Sequence, residues 1–434
     1  DDALAVDKRN GNTFWADAIA KEMKNVRVAF KILDDGERPP PGFQFIRCHM
    51  IFDIKMEDFR RKARLVASGH VTDVPPTITY SSVVGRETVR IALTLAALND
   101  LEVKVADIMN AYVTAPTEEK IWTILGPEFG DDQGKKAVIV HALYGLKSAG
   151  TSFRHHVADC MKHLGYTPCL ADPDLWMKPE IRPDDGVAYY AYILCYVDDI
   201  LSIAHNAEDV LRRLDKYFML KPGSLGDPDI YLGAKLKKMK LPNGVEAWAM
   251  SPAWYVHQSV KNVEKYLEEN LSARWKLPSK AENPFAIGYS PELDDSPELD
   301  PSLSSYYQSQ IGILRWMVEL GRIDMMTEVS MLASHLAMPR EGHLEAIFHI
   351  YAYLKQKYNS RLAFDPTYPS IDMSDFKECD WKQFYGDVTE AIPPNAPEPR
   401  GKDVDLQMFV DSYHARNKLR WRSRIGFMIY MNTI

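Results

Sequence analysis

The sequence predicts an α+β protein, with helices packed on an antiparallel sheet. Three observations predict it. Between residues 85 and 250 the order is helix, strand, helix, hairpin, helix, strand pair; the paired strands are joined by tight turns; and the chain beyond residue 251 is helical. With 434 residues and 46% hydrophobic content the chain can bury real cores, in about two to four domains. No run of about 18 uncharged apolar residues occurs, so no membrane span is expected. The opening "DDALAVDKRNGNTFW" has neither an initiator Met nor a signal pattern, and reads as part of a longer chain. Cys48, Cys160, Cys169, Cys195 and Cys379 are scattered without a C-x-x-C, which points to a reducing compartment and no disulfide framework.

"ERPPPG" (37–42) is a Pro-rich turn, and "HMIFDIKMEDFRRKARLVASGH" (49–70) reads as two strands joined at Glu57-Asp58. "GRETVRIALTLAALND" (85–100) sets Val89, Leu93 and Ala96 on one helical face and stops at Asn99-Asp100. In "LEVKVAD" (101–107) alternation projects Val103, Val105 and Asp107 from one face of a strand. "GTSFRHHVADCMKHLGY" (150–166) is a helix with Phe153, Val157, Met161 and Leu164 as its stripe and Gly165 as its stop. "YYAYILCYVDDILSIA" (189–204) reads as a strand, a tight turn at Asp198-Asp199 and a returning strand. "AEDVLRRLDKYF" (207–218) is a helix, and "IYLGAKLKKM" with "EAWAM" a strand pair joined by "PNG". Segments 251–270, 306–322, 324–338 and 342–357 have helical spacing and make a bundle, set off by the acidic, mobile loop "SPELDDSPELDPS" (290–302). A Pro-rich linker (391–403) leads to a final piece of two or three strands.

The formal charge of −8 argues against a nucleic-acid partner as a sum, but bases cluster in "RRKAR" (60–64), "KLKKMK" (235–240) and "RNKLRWRSR" (416–424). Each cluster singly also reads as a solvated face. The adjacent carboxylates Asp198 and Asp199 interrupt an otherwise buried run, where an unpartnered charge is costly. Alone they read first as an Asp-rich turn, and Asp107 at the end of its inward row reverses that. Three such acids repel one another unless divalent cations offset the charge. Oxygen-ligated Mg²⁺ suits carboxylates plus substrate phosphates, and two such ions activate a 3′-hydroxyl and stabilise a leaving pyrophosphate.

"YVDDILSI", "VADIMNAYVTAP", "ALYGLKSAGTSF" and "IYLGAKL", in this order, resemble the reverse transcriptase of copia-class LTR retrotransposons. The likeness extends to "RRKARLVASGH", to "YYQSQIGILRWMV", and to "FVDSYHA…RWRSRIGFMIYMN", which is similar to the opening hairpin of the ribonuclease H domain in such polyproteins. The resemblance implies a right-hand polymerase of fingers, palm with antiparallel sheet, and helical thumb, followed by an incomplete ribonuclease H-like β-hairpin. Its implied boundaries are fingers 1–98 with a return segment 118–148, palm 99–117 and 149–244, thumb 245–360, linker 361–405, and a truncated ribonuclease H start at 406–434.

The resemblance also implies roles. Asp107, Asp198 and Asp199 match the metal-binding triad, with the Ile108 carbonyl as a further ligand of two Mg²⁺ ions, Mn²⁺ being the alternative. Tyr112 matches the aromatic gate that excludes a 2′-hydroxyl. Gly145 and Lys147 match the loop beneath the templating base pair, where the usual Ala-Pro is Ala149-Gly150 here, a departure expected to loosen the turn. Arg61, Lys62 and Arg64 are candidates for gripping the dNTP triphosphate, and the choice among them stays open. Lys221 falls where a lysine protonates the leaving pyrophosphate. Tyr231, Leu232 and Gly233 match the primer-gripping hairpin, with Lys235, Lys237 and Lys238 near for backbone phosphates. Asp411 matches the first of the ribonuclease H carboxylates, the others falling beyond Ile434, so RNA-strand degradation is not expected of this chain; Tyr413 replaces a usual acidic residue. Trp421 in "RNKLRWRSR" offers a stacking surface for an RNA–DNA hybrid or belongs to an ordinary basic hairpin.

The implied activity is RNA-directed and DNA-directed DNA polymerisation. Its partners would be an RNA template, a DNA primer, their hybrid, dNTPs and the rest of the Pol polyprotein, in a cytoplasmic virus-like particle with a nuclear stage later. The rival reading is a decayed or domesticated fragment that binds nucleic acid without chemistry. A purely protein-binding module would leave the three acids unexplained. His156, Cys160 and His163 share a helical face but lack a fourth ligand with zinc spacing. His335, His343, His349, Trp316 and Met317 read as packing residues, and "GSLG" is too short for a phosphate loop.

Overall fold

The computed structural model describes residues 2–432 other than 55–59, 74–78, 272–273, 371, 373, 375–376, 378, 390, 414–418 and 420–422. A first helix, Asp2–Asn10 (α1), presents the Asp7 carboxylate to the Trp15 and Ala16 N–H groups, satisfying the start of Phe14–Val26 (α2). Trp15, Met23 and Val26 form the buried stripe of α2. Strands Phe30–Ile32 (β1) and Gln44–Phe45 (β2) precede a ribbon of Cys48–Ile54 (β3) against Arg61–Ala67 (β4). The turn at Glu57-Asp58 lies outside the described residues. Arg86–Leu98 (α3) buries Val89, Leu93 and Ala96, as its spacing predicts, and is followed by Glu102–Asp107 (β5) and the single turn Ala111–Thr114 (α4).

Strands Ile121–Ile124 (β6) and Lys136–Ile139 (β7) lead to Ala149–His163 (α5), which buries Phe153, Val157 and Met161 and stops before Gly165 at φ 85°. Next come Thr167–Pro168 (β8), Leu175–Ile181 (β9), Ala188–Tyr196 (β10), Asp199–Ala204 (β11) and Ala207–Leu214 (α6). The Asn206 side chain caps α6 by accepting the Asp209 N–H, with acids in its first turn and arginines in its last, matching the helix dipole. Ile230–Tyr231 (β12), Ala234–Lys240 (β13) and Glu246–Ser251 (β14) follow, then the helices Ala253–Asn270 (α7), Pro301–Glu319 (α8), Met326–Ala333 (α9) and Glu341–Gln356 (α10). Leu362–Phe364 (β15), the turn Lys382–Tyr385 (α11), and the hairpin Leu406–Tyr413 (β16) and Arg424–Met431 (β17) end the described chain.

The central sheet has strand order β5-β11-β10-β9-β8 and is antiparallel throughout. Its middle strand β10 is buried almost without interruption, because helices and the third sheet cover its faces. A second sheet, β1-β7-β6-β2, encloses its own core with α2 and β4, and a third, β12-β13-β14-β15, packs against the central core. Helices α7 to α10 enclose a separate core around Tyr307, Leu314, Ile347 and Tyr351. Met317 lies in that bundle core, whereas Trp316 turns to the central one and meets the Arg86 guanidinium at 4.2 Å.

Four features differ from the sequence reading. The tip of the catalytic-looking hairpin is Val197-Asp198, not Asp198-Asp199, because Asp199 already pairs with Tyr196 as the first residue of β11. Val197 has φ 57°, the sign that the first residue of a two-residue hairpin loop needs, and a strained one for a β-branched side chain. The segment read as linker contributes a strand, β15, paired with β14, and its later part docks on the central sheet: the Gly401 N–H donates to Ala188 C=O and the Tyr190 hydroxyl to Glu398 C=O. The acidic loop is tied internally, since Asp294 accepts from Tyr289 and Ser296. Gly150 does not loosen a turn. It lies in the first turn of α5, where a Cβ would crowd that of Ser81 at 3.1 Å, so glycine lets the 80–84 segment approach.

Gly145 shows the same principle more strongly. Its φ is 91°, and a Cβ there would overlap the Ala67 carbonyl of β4. Gly145→Ala is therefore expected to destabilise the chain by about 2 kcal/mol, measured by urea denaturation, through left-handed strain and overpacking together.

Candidate active site

Strand β5 delivers Asp107 and strand β11 delivers Asp199, and the two are directly paired across the central sheet. The Ile108 N–H donates to the Asp198 carbonyl at 2.8 Å, which pins the hairpin tip beside the end of β5. The backbones of Asp107, Asp198 and Asp199 thus lie together at one end of one sheet. The backbone beyond β5 is held by Met109 N–H to Met219 C=O and by Lys221 N–H to Asp107 C=O. Lys221 also turns its Nζ to the Asp107 carboxylate at 2.5 Å.

A cleft of about 550 Å³ opens over this corner. Asp107, Ile108, Tyr112, Asp198 and Lys221 line one side, and the basic strand β4 with Arg61, Lys62 and Arg64 lines another. Burial raises the Asp198 carboxyl above the usual range, and the Asp107 charge adds to this against the pull of Lys62 and Lys221. Burial and Asp198 likewise raise the Tyr112 phenol. The Tyr112 ring is wedged edge-on between Tyr144 at 4.9 Å and Phe153 at 6.1 Å, so it has little freedom to swing away.

Not every predicted residue reaches the cleft. Asp199 does not line the cleft, and Gly145 braces β4 from behind while Lys147 donates to the Thr72 carbonyl. Tyr231 is buried, with Leu232 and Gly233 at φ 53° and 85° forming a two-residue turn of the kind that asks for positive φ twice. Lys235 pairs with Asp229 at 3.3 Å, Lys237 is exposed, and Lys238 lies over the Trp248 ring at 5.7 Å. Asp411 sits exposed on β16 opposite Gly426. Trp421 and most of the 416–424 basic run lie outside the described residues. His156 and His163 pack against Phe218 and Tyr217 at 5.1 and 5.4 Å. His335 meets His343 at 4.2 Å, and His343 and His349 each place Nε2 on a backbone carbonyl.

Sequence reasoning missed α2, whose Lys21, Glu22 and Asn25 wall the cleft, and Tyr144, which lay inside a quoted motif. The signal for α2 was present in the spacing of Trp15, Ile19, Met23 and Val26.

Among the described residues no group of three His, Cys, Asp or Glu side chains converges as a metal cage. The donors at the cleft still suit a hard cation: two carboxylates, Asp107 and the half-buried Asp198 whose carboxyl burial raises, match an ion that completes its shell with substrate oxygens.

The corner thus sets acids at a β-hairpin tip across a cleft from a basic strand. Residues 37–264 match the family model described as reverse transcriptase (RNA-dependent DNA polymerase), and the chain belongs to that family. It is similar to the retrovirus-related Pol polyprotein from transposon TNT 1-94 of Nicotiana tabacum, 26% identical over 349 residues, covering 76% of this chain and 25% of that protein. It is also similar to that from transposon RE2 of Arabidopsis thaliana, 24% identical over 396 residues, covering 88% and 25% respectively. A putative transposon Ty5-1 protein of Saccharomyces cerevisiae is 26% identical over 260 residues, 57% of this chain and 74% of that one. These Pol relatives are of the copia type, and the chain spans about a quarter of their length. Among the described residues no helix is long and apolar enough to cross a membrane.

Proposed function

We propose that the chain adds deoxynucleotides to a primer 3′ end on an RNA or DNA template, as the polymerase part of a retrotransposon Pol polyprotein. The observation that carries this reading is that Asp107 and Asp198, held together by the β5–β11 pairing and the Ile108 N–H to Asp198 C=O bond, line a cleft walled by basic residues. In this reading the central sheet is the palm, the β3–β4 ribbon and second sheet the fingers, and α7 to α10 the thumb.

Asp107 and Asp198 would hold two Mg²⁺ ions, or Mn²⁺, with the Ile108 carbonyl and Asp199 in support. When bound, these ions acidify the primer 3′-hydroxyl and offset the charge that grows on the leaving pyrophosphate. Lys62 and Arg64 grip triphosphate oxygens: all three β4 bases line the cleft, but the Arg61 guanidinium is engaged by the Phe14 and Trp15 rings, whereas alternation sets Lys62 and Arg64 together on one face. Tyr112 underlies the incoming sugar and excludes a 2′-hydroxyl. Lys221, already beside the reacting corner, gives its Nζ proton to the leaving pyrophosphate. Gly145 and Lys147 would support the template and the Tyr231–Gly233 turn, with Lys235, Lys237 and Lys238, the primer. Asp411 would open a ribonuclease H site that the rest of the polyprotein completes.

Primer extension on poly(rA)·oligo(dT) with Mg²⁺ and dTTP tests the reading. Extension is the expected result; tight binding of the hybrid with no extension would favour the decayed, non-catalytic fragment.

A further inference from the structure

Helix α2 precedes the segment matched to the family, yet it walls the same cleft as the carboxylates. Ala18, Lys21, Glu22 and Asn25 line the cleft at helical spacing, while Trp15 and Met23 are buried on the other side. Glu22 Oε1 accepts the Leu65 N–H of β4 at 2.9 Å, which ties helix to ribbon. On the face of β4 toward Glu22, its charge meets those of Lys62 and Arg64, and burial keeps its carboxyl raised in spite of them. The Arg64 guanidinium lies over the Tyr144 ring at 5.4 Å, and its buried Nε has no hydrogen-bond partner among the described residues.

A carboxylate set among the cations that would receive a polyanion has an electrostatic consequence. It holds those cations in place before substrate arrives, and repels the substrate once it is there. We infer that α2 is the outer wall of the triphosphate pocket, and that Glu22 is the counter-charge that keeps Lys62 and Arg64 positioned and limits how tightly a triphosphate binds. Glu22 is thus a positioning residue, and the inference rests on the triphosphate site proposed above.

Titration calorimetry on the full chain, with dTTP and with inorganic tripolyphosphate in Mg²⁺ buffer, tests it. Glu22→Gln keeps an oxygen for the Leu65 N–H and loses the charge, so both ligands are expected to bind about fivefold more tightly. Glu22→Ala also deletes the Leu65 acceptor; it is expected to lower the melting temperature while retaining the gain in affinity. In an Arg64→Met background the gain from Glu22→Gln is expected to shrink, which a purely structural glutamate would not produce. Unchanged or weaker binding in Glu22→Gln, or no binding of either ligand by wild type, overturns the inference. Tighter tripolyphosphate binding by Glu22→Gln in a chain that fails to extend primers would instead overturn the polymerase reading and leave the anion pocket standing.

Discussion

Asp198→Asn is expected to remove primer extension, by at least on the order of a thousandfold in kcat, while raising the melting temperature at neutral pH. The substitution is isosteric, and the backbone carbonyl of residue 198 still accepts the Ile108 N–H, so the hairpin tip keeps its place. What disappears is the charge. Burial, then Asp107, holds the folded-state carboxyl above its unfolded value, so the folded chain binds the proton more readily than the unfolded one. Ionisation at neutral pH therefore opposes folding. The penalty is absent below the unfolded-state pKa and grows as pH rises through the raised folded-state one. Asparagine removes it, so the stability gain should be largest near neutrality and fade toward acid. Thermal melts at pH 7.5 and pH 4, beside single-nucleotide extension rates, check both halves. Lost activity with a lowered melting temperature at pH 7.5 would mean that the tip had misfolded, and would sink the electrostatic account.

Tyr112→Val is expected to let ribonucleotides in, shifting the ratio of kcat/KM for dTTP over UTP by roughly a hundredfold toward UTP. The ring is held between Tyr144 and Phe153, so under the proposed function a 2′-hydroxyl would meet a wall with little room to retreat. Truncation to valine opens that space. Tyr112→Phe should keep the discrimination, because the barrier is the ring and not the phenol. Equal discrimination in all three proteins would assign the gate elsewhere in the cleft.

Much of this site was legible in one dimension because it is built from local signals. The period of two in "LEVKVAD", an acidic pair interrupting an apolar run, and helical stripes at Val89-Leu93-Ala96 and Phe153-Val157-Met161 each announce an element and its buried face. The exact hairpin tip was not legible, since Asp-Asp is a natural turn pair and only the cross-strand partner Tyr196 shows that Asp199 belongs to the strand. Gly150 was misjudged for a related reason: its value lies in a neighbour 69 positions earlier in the chain, Ser81, which no window of sequence includes.

By itself, then, the sequence determined the mixed helix-and-sheet class, the buried faces of its elements and the family its motifs signal, because hydrophobic period and turn chemistry act over a few residues. Tertiary structure alone decided that the bases of β4 line the same cleft as Asp107 and Asp198, that Glu22 of α2 lines it with them, and that the 398–401 segment is fastened to the central sheet. Each of those depends on groups far apart along the chain brought within a few ångströms, and at that range hydrogen bonds and desolvated charges act on neighbours in space, whatever their separation in sequence.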